Sequence, residues 1–203
     1  HLRALWLPHC GQDPSVVSAL TALTELRVRR ATDEHLRALT AMRRLELRSW
    51  DVTGEGLRGM SLLEHITINS CYSLRPDALV GATALTRLEA WSLEETQLGL
   101  LDGVRTRLRA LELTYCPIGD DALRHMAHME HLSLGDAPDH FRGTHIGAMT
   151  GLRRLEINDC RGLEDMRLNG CASLTALRVF RCDAPTAAMA DAMPQLRVLE
   201  LIA

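Results

Sequence analysis

Six cysteines and nine histidines are the side chains with which this 203-residue chain could hold a metal, form disulfides or run nucleophilic and acid–base chemistry. Their spacing argues against each. A structural zinc site wants closely paired ligands such as C-x2-C, and no two cysteines here lie nearer than eleven residues. A nucleophile needs a base brought to it, yet there is no Gly-x-Ser-x-Gly elbow, no phosphate loop and no His-Glu-x-x-His. The tightest histidine group, His125, His128 and His131, straddles two different predicted elements. The sequence therefore assigns no catalytic residue, no metal ligand and no cofactor, and reads as a non-enzyme.

The elements that must position these residues come from one template. Leu-x-x-Leu-x-Leu, with conservative swaps, begins at Leu2, Leu23, Met42, Leu63, Leu85, Leu108, Met129, Leu152, Leu174 and Leu196. Alternation such as Leu111 and Leu113 against Ala110, Glu112 and Thr114 predicts a short strand with one buried face. Between copies, segments starting at Thr32, Thr53 and Gly119 place apolar residues three apart behind a polar starter. They predict one or two helical turns with an N-capping side chain, and Pro76 and Pro185 open similar segments. From Leu163 to Cys171 an extra eleven-residue phase predicts an extended return half inside one 22-residue coil.

Ten in-phase copies resemble the leucine-rich repeat family over residues 1–203, and the return segments are similar to its cysteine-containing and ribonuclease-inhibitor-like subclasses. The resemblance implies an α/β solenoid: a curved right-handed stack of about ten coils, with short parallel strands on the concave face and short helices or extended turns on the convex face. Units of this size cannot bury their apolar faces alone, so they stack. The first and last copies reach the ends of the chain without visible caps. The reading is a single array cut from a longer polypeptide, or one whose ends partners cover. The Leu163–Cys171 stretch resembles plant resistance-type repeats.

The same phase accounts for the cysteines. Five residues after the second apolar position stand Cys10, Ala31, Trp50, Cys71, Leu93, Cys116, Ala137, Cys160 and Cys182, and Cys171 holds the matching place after Met166. The family puts Asn or Cys there to bond backbone groups of the turn. Free, structural thiols imply a reducing, intracellular compartment, most simply the cytoplasm.

Residues flanking the strand leucines stack into three columns. They carry seven arginines, among them Arg27, Arg48 and Arg87, against six glutamates, among them Glu46 and Glu89. With a net charge of −3 and no lysine, the chain lacks the bulk basic footprint of a nucleic-acid or membrane binder. The balance favours a protein ligand of mixed polarity, though cross-strand ion pairing accounts for part of it. Aromatics beside arginine anchor protein interfaces. Arg48, Asn69, Arg87, Glu89, Trp91, Glu112 and Tyr115 form the predicted contact patch. The leading expectation is a non-catalytic protein-binding scaffold using the concave face. The alternatives are the substrate-recognition module of a larger enzyme, such as a ubiquitin ligase or bacterial effector, and an architectural subunit of a large assembly.

Overall fold

A computed structural model describes residues 2–8, 13–163, 166–182, 193 and 195–202. The chain divides into two compact units, residues 1–107 and 108–203. Every hexamer becomes a strand that starts two residues after its first apolar position. The first unit holds β1 (Ala4–Leu7), β2 (Glu25–Arg29), β3 (Arg44–Arg48), β4 (His65–Asn69) and β5 (Arg87–Trp91). The second holds β6 (Ala110–Thr114), β7 (His131–Gly135), β8 (Arg154–Asn158), β9 (Ala176–Phe180) and β10 (Val198–Ile202).

Within each unit, consecutive strands pair in parallel and in register, as in Leu26 with Leu45, Ile66 with Leu88 and Leu132 with Leu155. Parallel neighbours need a crossover, and the return segment of each coil supplies it. The second and fourth residues of β2 to β9 point inward and are buried, which fixes the phase: Leu88 and Leu111 are 0% and 2% exposed. The flanking residues therefore form the outer face of the sheet, the strand face. In β1 and β10 the equivalent leucines are half or fully exposed.

The return segments are short. Two are α-helical, α1 (Pro14–Ser18) and α2 (Asp33–Leu36), and the others with assigned structure are 3₁₀ turns over Glu55–Leu57, Glu95–Leu101, Asp120–Leu123 and Ile146–Ala148. Proline at the first turn and the Asp13 carboxylate, which accepts from the Ser15 N–H at 2.9 Å, start α1. Residues after Pro76 form turns rather than a helix, and Pro185 lies outside the described residues. Of the stretch predicted to be extended, the described residues have neither helix nor strand, and Leu163, Met166, Leu168 and Cys171 are buried.

Thr53 departs from its expected role as a cap of its own segment. Its N–H and hydroxyl donate to Asp33 of the preceding coil at 3.0 and 2.8 Å. The same carboxylate accepts from the N–H groups of Gly54 and Gly56 at 3.1 and 2.7 Å. Burial alone would raise the Asp33 pKa, but these donors outweigh it and hold the group below its ordinary 3.8. Asp120 repeats the device, accepting from the N–H groups of Arg142 and Thr144 at 3.1 and 2.8 Å. A short turn has orphan N–H groups at its start, and here the neighbouring coil satisfies them. Gly56 must be glycine for the same reason, since a Cβ would stand 2.6 Å from the Asp33 carbonyl oxygen.

Cysteines stand in the turns after β4, β6, β8 and β9, and Cys171 stands in the return segment between β8 and β9. Cys71, Cys116, Cys160 and Cys171 are buried free thiols, and Cys182 is half-buried. Cys71 and Cys160 donate weakly to the carbonyls of Asn69 and Asn158 two residues back, at 3.5 and 3.3 Å, and Cys171 reaches the Ile146 carbonyl at 3.3 Å. The Cys160 N–H donates to Cys182 Sγ at 3.3 Å. A hydrogen bond from the Cys160 side chain favours the Cys182 thiolate most, which brings that thiol down to about 7 and pushes Cys160 up. Cys10 lies outside the described residues.

Candidate interaction surface

Parallel register turns each flanking position into a column of neighbours. In the first unit one column runs Ala4, Glu25, Arg44, His65, Arg87, and the next runs Trp6, Arg27, Glu46, Thr67, Glu89. The third places Arg29 beside Arg48, and Asn69 beside Trp91.

Charge on this face is partly spent within it. Arg27 Nε meets Glu46 Oε1 at 2.8 Å, and its guanidinium lies 5.6 Å from the centre of the exposed Trp6 ring. Arg87 Nε donates to Glu89 Oε1 at 2.6 Å, the Thr67 hydroxyl donates to Glu89 Oε2 at 3.2 Å, and His65 Nε2 lies 3.1 Å from Oε1. Burial would raise Glu89, yet the Arg87 hydrogen bond and charge win and lower it. His65 is lowered chiefly by burial, against the pull of Glu89, so it stands neutral at pH 7. Arg87 and Glu89 are thus a positioned pair more than two free contacts. The Glu46 carboxylate pairs across the strands with Arg27 rather than with Arg44 two residues before it.

Among the other predicted contact residues of this unit, Asn69 is half-buried and accepts from the Ser70 hydroxyl at 2.9 Å. Trp91 is half-buried, and its carbonyl accepts from the Ser70 N–H at 3.2 Å. Arg48 is exposed at the end of β3. In the second unit, Glu112 is half-buried on β6, while Tyr115 just beyond it is 63% exposed. Arg178 bridges Glu156 and Glu200 along the central column at 3.7 and 3.1 Å.

The sequence reading missed Trp50. It occupies the slot that takes Ala31, Cys71, Leu93, Cys116, Ala137 and Cys160 in other coils, all buried, yet it is 68% exposed. Just before the slot those coils place a residue with positive φ: Arg30, Ser70, Ser92, Tyr115, Asp136 and Asp159 lie between 48 and 57°. Ser49, the equivalent residue after β3, does not adopt it. Instead its side chain turns inward, 2% exposed, and donates to the Ala31 carbonyl at 2.6 Å. Serine fills the slot there, and tryptophan stands out in solvent. The ladder between β3 and β4 consequently stops at Leu47 and Ile68, while that between β4 and β5 runs on to Asn69 and Trp91. A large aromatic in a small-residue slot was the available signal.

Beside the displaced Trp50 opens a cavity of about 520 Å³ lined by Arg29, Arg30, Arg48, Ser49, Trp50 and Asp51. No helix among the described residues is long and apolar enough to cross a membrane.

Neither a protein-family model nor a curated protein matches the chain. Solved structures do. An internalin from Listeria monocytogenes superposes with a TM-score of 0.71 at 19% identity, covering 94% of this chain and 57% of its own. The chain thus spans little more than half of that internalin. The chain has the leucine-rich repeat fold. The leucine-rich repeat domain of the type III effector XopL matches with a TM-score of 0.60 at 18% identity, over 97% of this chain and 75% of that one. TLR13, solved in complex with a single-stranded RNA, matches with a TM-score of 0.57 at 12% identity, over 98% of this chain and 34% of its own. At these identities the likeness concerns the leucine-rich repeat architecture itself.

Proposed function

We propose that this leucine-rich repeat chain is a non-catalytic scaffold that binds a protein partner through its strand face. The observation that carries the reading is the phase of the ribbon. A rigid sheet with leucines buried beneath holds a row of arginines, glutamates and aromatics out to solvent in fixed register. Such a surface offers aromatic and guanidinium anchors at little conformational cost. Likeness to an internalin and to an effector repeat domain supports an interaction role. Mixed charge on the face supports a protein over nucleic acid as partner; the RNA complex belongs to TLR13. The five free thiols among the described residues support an intracellular, reducing location.

The contacts proposed in the first unit are Arg48, Asn69, Arg87, Glu89 and Trp91, and in the second Glu112 and Tyr115. Affinity capture with the intact protein, followed by mass spectrometry, identifies partners. The Arg87→Ala, Trp91→Ala double variant should lose them while keeping its circular dichroism spectrum. Undiminished capture by the folded variant would remove the strand face of the first unit from the interface. The effector likeness favours one second reading, in which this array is the recognition module of a larger enzyme. The full-length gene tests it, because an adjoining catalytic domain is required.

A further inference from the structure

We propose that the cavity at the ends of β2 and β3 binds a short acidic segment of a protein partner, with Arg29, Arg30 and Arg48 taking its carboxylates and Trp50 packing on the adjoining side chain. This rests on the reading of the chain as an interaction module and names the chemistry that one lip of it selects.

Arg29 and Arg48 are direct neighbours in the ladder between β2 and β3. Parallel strands run about 4.8 Å apart, and like charges side by side across strands are destabilising. Arg30 adds a third guanidinium, held by its own N–H donating to the Arg48 carbonyl at 2.9 Å and by a φ of 57°. Arg27, Arg43, Arg58, Arg75, Arg87, Arg109 and Arg178 find carboxylates, while others such as Arg37, Arg44 and Arg154 stand singly among the described residues; this group differs in bringing three guanidiniums to one cavity. Among the described residues none lies within ion-pairing distance of Arg29, Arg30 or Arg48. Among the described residues, the cavity wall carries three arginines against one aspartate, Asp51, on a chain whose net charge is −3. Three cations grouped at one cavity are complementary to an anion supplied by a partner.

The occupant's shape follows from the surroundings. Guanidinium forks favour planar carboxylates and phosphates through paired hydrogen bonds. A volume of about 520 Å³ suits a few side chains rather than a single ion. An extended polyphosphate tracking along the strands would meet Glu25, Glu46 and Glu89 on the neighbouring columns. A localised run of two or three Asp or Glu residues avoids them. The exposed indole of Trp50 offers an apolar platform beside the charges, which a leucine next to the acidic run would cover.

A fluorescein-labelled pentapeptide with three consecutive acidic residues flanked by leucines tests this by fluorescence polarisation against the whole chain. Binding should weaken with added salt, and Arg48→Glu or Arg29→Glu should lower affinity by about tenfold or more, as loss of a charge-assisted hydrogen bond predicts. Arg48→Lys should retain part of it, and Trp50→Ala should reduce it by a smaller factor. The Arg109→Ala variant, outside both the cavity and the proposed strand-face contacts, should bind the peptide as the parent does, which distinguishes this site from a general loss of positive charge. Circular dichroism confirms the fold of each variant, and the Lys variant keeps the charge if a reversal perturbs folding. No peptide binding, undiminished binding by both charge reversals, equal binding of inorganic phosphate, or stronger binding of a single-stranded oligonucleotide would each overturn the proposal, whatever the capture experiment gives.

Discussion

The turns after β3 and β4 start from the same pattern and end differently. After β4, Ser70 takes a positive φ, its N–H reaches the Trp91 carbonyl, and Cys71 drops into the core. After β3, Ser49 turns inward in place of the slot residue and Trp50 faces solvent. Both solutions seal the core beneath, with Cys71 and Ser49 each buried. The difference teaches that the core accepts either a thiol or an inward-turned serine at this position, and that the second arrangement leaves an aromatic in solvent. In a stacked array each coil touches its neighbours, so such a local departure need not disturb the ladder further away.

If the buried halves are equivalent, matched core truncations should cost alike on both sides of the comparison. Leu47 and Ile68 are each wholly buried, one residue pair in the same register. Replacing either by alanine should destabilise by about 2–5 kcal/mol in urea melts. A cost below about 0.5 kcal/mol at Leu47 would mean that the β3 coil is loose throughout and the contrast between the turns is not confined to one residue. The next largest effect tests the slot itself. Cys71→Trp asks the regular turn to accept what the β3 turn rejects, and should cost about 1–3 kcal/mol or more from overpacking. A neutral outcome would show that the slot does not discriminate by size.

The ribbon was legible because its period of two is local: each leucine announces its own burial, and ten copies fix the phase. All ten strands begin where the hexamers place them. The return segments were less legible, since a polar starter reads as a cap whichever coil it serves. Thr53 looks like an N-cap, but its partner is Asp33, twenty residues earlier, and only stacking brings them together. The same holds on the strand face. Arg87 two residues before Glu89 is visible in the sequence, whereas His65 joining that carboxylate from the next strand depends on register. Trp50 was missed because the position, not the residue, was read.

Asp33 gives the comparison a pH axis, because it clasps the segment that leaves the β3 turn. Its folded pKa lies below the ordinary value, so its contribution is complete above the unfolded pKa near 4 and is lost as pH falls through the folded value. Asp33→Ala should destabilise by roughly 1–3 kcal/mol at pH 7 by leaving the Gly54 and Gly56 N–H groups without their acceptor. The deficit relative to the parent should shrink as pH drops below about 4, where the parent carboxyl is itself protonated. Parallel loss of stability in parent and variant across that range would assign the acid sensitivity to other carboxylates and detach the clasp from the β3 coil.

The smallest effect is the most discriminating. Trp50→Cys gives the β3 turn the residue type that the β4 turn carries, and a thiol fits the slot. Two outcomes follow from the geometry. Because the indole is mostly exposed and Ser49 already seals the core with a 2.6 Å bond to Ala31, removing the ring should change stability by less than about 0.5 kcal/mol. The turn can then stay as it is, with the introduced thiol in solvent and open to alkylation, or revert to the regular form with that thiol buried and inert. The Ser49 hydroxyl bond favours the first, since reversion must break it and withdraw a buried hydroxyl. Rapid alkylation of the variant at position 50, beside an unreactive Cys71, would mean that Ser49 holds the β3 turn open. A protected thiol would mean instead that the bulk of Trp50 alone forces the turn, and that the lip of the arginine cavity owes its shape to one side chain.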